Sequence, residues 1–327
     1  QDESNNIFLS SAFSAKNNYQ DINITLEGNN YLQGISYGEN IKEYAAVNNG
    51  DYTFSGSGSL TLTEEVKLED SMSGKYSVQS MGINCQNITI NSGNLVVNAD
   101  GHPAMNKVNG INVLNKYRQY GGNVDVSSGK NITDGYNLYN NAAIDCSSFI
   151  IDKGILNAVN CESSSELAES KYEYHACIHS FTSSITGGTI KAVGDTYGLY
   201  IGSGDTTVYV DKMELSGSIK PMAYILSTYS ISGSVLIEGG LFNEGDVEEQ
   251  TAFGFNLVDG SSVSEEIIDG VKWYRVKSSY QKGLEISGGI EGVDYEYGKG
   301  VVKLLTDTPL TFTMNKDVEA ATDIIVS

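Results

Sequence analysis

The stretch Gly82–Val97 (GINCQNITINSGNLVV) decides the fold, because the chain repeats its pattern. Ala143–Leu156 (AIDCSSFIIDKGIL) aligns with it without a gap, and Cys177–Ala192 carries a third copy. Each copy consists of short alternating apolar runs separated by turns of Gly, Ser, Asn or Asp, which is the pattern typical of β-strands. Internal repetition on this scale indicates a solenoid, in which one structural unit is stacked on the next.

Isoleucines mark the same place in successive repeats. They are Ile83, Ile111, Ile144, Ile178, Ile201 and Ile225, at spacings of 28, 33, 34, 23 and 24 residues. In a parallel β-helix, inward side chains stack on their counterparts about 4.8 Å away, so the same residue type recurs once per coil. We therefore predict an all-β fold, a right-handed single-stranded parallel β-helix, with the handedness taken from the general preference of parallel connections. A sandwich or a propeller does not explain these repeated units.

The repeats weaken after Glu244, and this divides the chain. We predict a β-helix over residues 1–249, with an N-terminal cap that includes Ile7–Leu9, and a C-terminal β region over 250–327. The second region is either a series of irregular coils or a small appended β-domain. Only Glu162–Tyr174 has helical character, and it reads as an insertion between coils.

Composition excludes several classes of partner. The 327 residues include 20 Lys and Arg against 41 Asp and Glu, a net charge of −21. A surface this acidic repels phosphate backbones, so nucleic acid is not expected as a partner. No stretch approaches the roughly 20 consecutive apolar residues of a membrane-spanning helix, so we expect no membrane insertion. We expect the protein to be a monomer.

Three segments carry a resemblance to a known family. Asn23–Asn30 (NITLEGNN), Gly56–Thr63 (GSGSLTLT) and Ile185–Ala192 (ITGGTIKA) resemble bacterial cell-surface β-helix proteins described as "carbohydrate-binding domain-containing". These belong to the pectin-lyase-like solenoids, and the tail around Ile286–Gly289 is similar to a module of the same proteins. The resemblance implies a secreted or cell-surface repeat protein, its signal peptide removed, that acts as an adhesin or binds polysaccharide, in some members with calcium.

Tyrosines are the candidate sugar-binding residues, because a phenol ring offers a flat apolar face to a pyranose and a hydroxyl to its oxygens. They are Tyr117, Tyr120, Tyr136, Tyr139, Tyr197, Tyr200, Tyr224 and Tyr229. On a solenoid, side chains from successive coils form rows suited to a polymer, so the expected partner is a polysaccharide or a glycan of a host or bacterial surface. The negative charge favours a neutral glycan, or an acidic one bridged by calcium.

If an ion is bound, we predict calcium, because turns at Asp100, Asp134 and Asp205 offer carboxylate and carbonyl oxygens. Asp and Asn are also ordinary turn residues. His175, Cys177 and His179 have the ligand types of a zinc or copper site, and alternation would place all three on the outer face. Side chains two apart on a strand lie almost 7 Å apart, however, which favours exposed polar residues over one shared ion.

The cysteines give two further predictions. Cys85 and Cys146 align in the repeat, so both should point inward as buried thiols, about two strand spacings apart and too distant for a disulfide. Cys161 and Cys177 bracket the insertion, and a disulfide between them would close its base.

Two alternatives to a non-catalytic binding protein stay open. Parallel β-helices also carry polysaccharide lyases, which need Arg or Lys beside calcium-binding carboxylates, and hydrolases, which need Asp residues on neighbouring strands. Neither Arg118 nor Arg275 lies in a clear carboxylate cluster, and Asp145, Asp152, Asp205 and Asp211 are dispersed in the sequence. The second alternative is a structural stalk of a larger surface protein. We predict a binding protein that is not an enzyme.

Overall fold

The structure is a computed structural model, and it describes most of the chain. The described residues are 12–15, 20–37, 43–67, 79–99, 107–129, 142–160, 176–194, 197–202, 206–216, 220–224, 235–243, 255–257, 261–277, 284–290, 293–298 and 301–314. Ile7–Leu9 and Glu162–Tyr174 lie outside them. In these ranges no helix combines the length and the apolar character needed to cross a bilayer.

All regular structure in the described residues is β. The strands are β1 Phe13–Ser14, β2 Asp21–Leu26, β3 Asn29–Tyr37, β4 Glu43–Asn48, β5 Asp51–Gly56, β6 Ser59–Lys67, β7 Gln79–Ile90, β8 Asn94–Ala99, β9 Lys107–Gln119, β10 Asn123–Ser128, β11 Ala142–Ile151, β12 Ile155–Asn160, β13 Ala176–Ile185, β14 Thr189–Val193, β15 Tyr197–Ile201, β16 Thr206–Tyr209, β17 Lys212–Ser216, β18 Lys220–Tyr224, β19 Val235–Phe242, β20 Phe255–Leu257, β21 Ser262–Ile268, β22 Val271–Lys277, β23 Leu284–Ser287, β24 Tyr295–Gly298, β25 Val301–Leu304 and β26 Thr311–Met314.

Parallel pairing between successive coils makes the protein a β-solenoid. On one flank, here called sheet A, β7 pairs in parallel with β9, β9 with β11 and β11 with β13. On the other flank, sheet B, the parallel order is β3, β6, β8, β10, β12, β14 and β17. Apolar side chains from both sheets form one continuous buried core between them. The prediction of an all-β parallel solenoid is confirmed.

The repeated isoleucines stack as predicted over four coils. Ile83 lies opposite Ile111, Ile111 opposite Ile144, and Ile144 opposite Ile178, and each is at most 1% exposed. The prediction is wrong for Ile201, because Ile178 lies opposite Leu199 and Ser180 lies opposite Ile201. Leu199 and Ile201 both face the core, since they are two residues apart on β15. Ile225 lies outside the described residues.

Glycine is required where the chain turns from sheet A to sheet B. Gly122 and Gly154 have φ of 72° and 101°, a region that L residues with side chains rarely adopt. A Cβ on Gly122 would lie 2.6 Å from the carbonyl oxygen of Gly93 in the preceding coil. The turns of adjacent coils therefore pack against one another without side chains.

The C-terminal region begins as an extension of the solenoid. β20 pairs in parallel with β19, and the β21–β22 hairpin turns at Asp269 and Gly270, both with positive φ. β22 then pairs antiparallel with β19, which ends the parallel stacking of sheet B. In the described residues beyond 280, β23 pairs with β26 and β24 with β25, each as a separate two-stranded antiparallel sheet.

Candidate functional site: a polar groove on sheet A

A β-bulge shapes the outer face of sheet A. Cys85 lies opposite Val113 but Asn87 lies opposite Lys116, so β9 carries one residue more than its neighbour over this span. The same shift occurs against β11, where Ser147 stands opposite the bulge. Bulges bend a strand and redirect side chains, and here Leu114 becomes 54% exposed.

A groove of about 700 Å³ lies beside the bulge. Its floor includes one outward row with one residue from each of six neighbouring strands, which are Asp21, Asp51, Asn87, Lys116, Ser148 and Thr182. Five strand spacings of about 4.8 Å make this row about 24 Å long. The second outward row contributes Thr53, Thr89 and Arg118. The groove thus runs along the solenoid axis and is lined mainly by polar side chains.

Charge is not uniform along the groove. Asp21 and Asp51 are neighbours in the register at one end, and the amide of Asn87 donates a hydrogen bond to Asp51 at 2.9 Å. Lys116 and Arg118 lie on the same face of β9, two residues apart, and β9 is two strands further along the row than Asp51. The groove therefore has an acidic end at Asp21 and Asp51 and a basic middle at Lys116 and Arg118.

Phe181 is the exposed aromatic side chain of this groove. The residue is 51% exposed, and its ring makes a T-shaped contact with the His179 ring, with centroids 5.6 Å apart. Phe181 also lines a second cavity of about 320 Å³, which lies beside the groove and includes Leu114 and Ser147. The ring therefore stands between two concave surfaces and is accessible to a ligand.

A ladder of asparagines borders the second cavity. The amide of Asn84 donates to Asn48 at 3.1 Å, and the amide of Asn112 donates to Asn84 at 2.8 Å. These residues are successive partners in the sheet A register. Each of these hydrogen bonds joins one coil to the next and holds the asparagine side chains in one outward row. The next coils place charged side chains in the same row.

Asp145 continues this row and forms a compact charged cluster. One carboxylate oxygen lies 2.7 Å from Lys107 Nζ, and the other lies 2.9 Å from His179 Nδ1. Burial alone would raise the pKa of Asp145, but the hydrogen bond to His179 and the charge of Lys107 outweigh it and hold the pKa well below its usual range. The Tyr200 ring stacks on His179 with centroids 5.2 Å apart. The cluster contains one carboxylate, so it does not supply the pair of carboxylates that glycoside hydrolysis uses.

The structure separates the candidate tyrosines. Tyr117 is fully buried and stacks on Phe149, so its prediction as a sugar platform is corrected: an enclosed ring cannot contact a ligand. Tyr120 is 43% exposed at the turn after β9. Tyr197 and Tyr200 contact each other on sheet A, and only 5% of Tyr200 is exposed. Tyr224 lies in β18. Tyr136, Tyr139 and Tyr229 lie outside the described residues.

The predicted metal ligands are also separated. Asp100, Asp134, Asp205 and His175 lie outside the described residues. The prediction that Cys177 faces outward with His179 is wrong, because Cys177 is fully buried in the main core while His179 continues the outward row. Cys177 and Ile178 are consecutive and both belong to the buried core, so simple alternation does not hold at this point of β13. Within the described ranges, no group of three or more His, Cys, Asp or Glu side chains could hold an ion.

The prediction that Cys85 and Cys146 are buried thiols is confirmed. Cys85 and Cys146 are 2% exposed, and Val113 lies between them in the register. Burial raises the pKa of both thiols. Cys161 lies outside the described residues, so its pairing with Cys177 stays a prediction.

Sequence reasoning missed Phe181, the Lys116–Arg118 pair and the proximity of Asp21 to Asp51. Phe181 lies two residues after His179, whose side chain is on the outward row, and alternation over this part of β13 could have identified it. Comparisons of the chain with protein families, with curated proteins and with solved structures found no match.

Proposed function

We propose that the protein is a secreted or cell-surface binding protein that holds a polysaccharide in the groove of sheet A and does not cleave it. The observation that carries this proposal is an exposed Phe181 ring beside an elongated polar groove that spans six coils. A polymer of repeating sugar units matches a row of side chains that repeats with each coil.

The chemistry of the groove suits a carbohydrate. Amide and hydroxyl side chains of Asn87, Thr89, Asn115 and Ser148 line it, and these groups both donate and accept hydrogen bonds. Phe181 offers an apolar ring face of the kind that packs on a pyranose. The solenoid core beneath the groove is continuous, so these side chains are held on a rigid support. Binding therefore costs little conformational entropy.

A glycan array tests this proposal. The protein is applied once with calcium and once with chelator, and the best ligand is then incubated with the protein and assayed for reducing sugar. We expect binding without sugar release. Binding lost with chelator would support the calcium prediction, whereas absence of binding in both conditions would favour the structural stalk.

A hydrolase is the second candidate, and one observation favours it. Asp21 and Asp51 lie on neighbouring strands in the same groove, which is the placement that acid and base carboxylates need. Release of reducing sugar that is abolished by Asp51→Asn, but not by Asp125→Asn on sheet B, would establish hydrolysis and overturn the binding proposal.

A further inference from the structure

The groove on sheet A of this acidic protein contains two cationic side chains near its middle. Lys116 and Arg118 both point outward from β9, about 7 Å apart along the strand. Lys116 is exposed and Arg118 is partly buried. The chain has only 20 Lys and Arg against 41 Asp and Glu. Two adjacent cations in a concave site therefore contrast with the negative charge of the chain as a whole.

The register neighbours of these two cations are uncharged. Lys116 lies between Asn87 and Ser148, and Arg118 lies between Thr89 and Ile150. In the part of the chain that the structure describes, neither forms an ion pair, although other cations do, for example Lys107 with Asp145 and Lys191 with Glu214. The pair therefore keeps its hydrogen-bond donors available to a ligand.

The end of the groove at Asp21 and Asp51 has the opposite charge. Asp51 stands two strands from Lys116 through Asn87, a separation of about 10 Å between backbones. This distance is close to the screening length at physiological salt, so the carboxylates weaken the field of the cations only partly. They disfavour an anion at their own end, and their oxygens can accept hydrogen bonds from sugar hydroxyls there.

We infer that Lys116 and Arg118 recognise an anionic substituent of the bound glycan, a carboxylate or a sulfate, directly and without calcium. This inference rests on the proposed function. An arginine fork binds such planar or tetrahedral oxygen groups with two hydrogen bonds, and the lysine ammonium adds a second charge-assisted contact. The groove then binds the glycan in one direction, with its anionic group at β9 and its hydroxyls towards Asp51.

Calorimetry in the presence of chelator tests this inference with four polymers. Polygalacturonate and dextran sulfate carry the two anionic groups, and methyl-esterified pectin and dextran are their neutral counterparts. We expect one anionic polymer to bind at least about tenfold more tightly than its neutral counterpart, and to weaken as salt is raised. The polymer that shows the difference identifies carboxylate or sulfate as the ligand group.

Substitutions at Lys116 and Arg118 test whether these two residues cause the preference for the anionic polymer. Lys116→Gln/Arg118→Gln should remove the preference for the anionic polymer, Arg118→Lys should remove part of it, and Lys153→Gln, which removes an exposed turn cation, should leave it intact. Equal affinity for anionic and neutral polymers, or a preference that survives the double substitution, would overturn the inference but leave the proposed function standing. Absence of binding to these four polymers and to every glycan of the array would instead remove the proposed function itself.

Discussion

Replacing Asp145 by Asn is expected to destabilise the fold by about 1–3 kcal/mol, because the substitution keeps the size of the side chain but removes its charge. Breaking a fully buried ion pair costs about 3–5 kcal/mol. The Lys107 and Asp145 side chains are 14% and 17% exposed, so solvent reduces that cost. His179, only 8% exposed, also loses a charged hydrogen-bond partner.

The chain offers a matched control for this change. Lys191 and Glu214 are also 2.7 Å apart, but they are 45% and 37% exposed. Exposed pairs contribute about 0–1 kcal/mol, so Glu214→Gln should change stability by less than about 1 kcal/mol. Both variants are compared with the unaltered protein by urea unfolding at pH 7, monitored by circular dichroism.

A double-substitution cycle separates the ion pair from other effects. Lys107→Gln combined with Asp145→Asn should cost less than the sum of the two single changes, because the second change removes a charge that the first has already left unpaired. Additive costs, or equal costs for Asp145→Asn and Glu214→Gln, would refute the reasoning that burial gives this cluster its strength.

Three further predictions concern the core and the turns. Ile144→Ala should cost about 2–5 kcal/mol, since Ile144 is fully buried between Ile111 and Ile178, whereas Ile155→Ala, at 42% exposure, should cost far less; equal costs in urea unfolding would contradict the stacking. In a Cys161→Ser variant, Cys85 and Cys146 should react with an aromatic disulfide reagent only after unfolding, and rapid reaction of two or more thiols of the folded variant would show that at least one of them is not buried. Gly122→Ala should destabilise by more than Gly270→Ala, because both have positive φ but only the Gly122 Cβ would meet neighbouring atoms; the reverse order of unfolding midpoints would refute the packed turn.

The fold could be predicted from the sequence because the solenoid repeats the same core residues in successive coils. Ile83, Ile111 and Ile144 occupy one position in successive coils, so the same local pattern appears each time the chain returns to it. The prediction of stacked isoleucines is wrong where the length of the coil changes. The coil from Ile178 to its partner Leu199 is shorter than the preceding ones, and both Leu199 and Ile201 face the core, so spacing alone chose the wrong residue.

The site was harder to predict, because its parts lie far apart in sequence. The outward row of the groove runs from Asp21 to Thr182 and becomes visible only when the register is known. The bulge in β9 adds a residue after Val113 and thereby places Tyr117 inward and Lys116 outward. The exposed ring of the groove is Phe181, a residue that the prediction of tyrosines as sugar-binding residues leaves out.

Phe181→Ala measures the central proposal, a glycan held in the sheet A groove, most directly. About half of the Phe181 ring is exposed, or about 100 Å² of a phenylalanine side chain, and a sugar that covers half to all of it removes about 50–100 Å² from water. At about 25 cal/mol per Å² this contributes about 1–2.5 kcal/mol, equivalent to an affinity loss of about 5- to 70-fold. The control is Tyr31→Ala, which removes a 61% exposed ring from sheet B.

Titration calorimetry with the glycan selected by the array gives the decisive comparison. The proposal predicts that Phe181→Ala weakens binding by that factor while Tyr31→Ala leaves the dissociation constant unchanged. An unchanged dissociation constant for Phe181→Ala, or a loss confined to Tyr31→Ala, would contradict binding in the groove of sheet A.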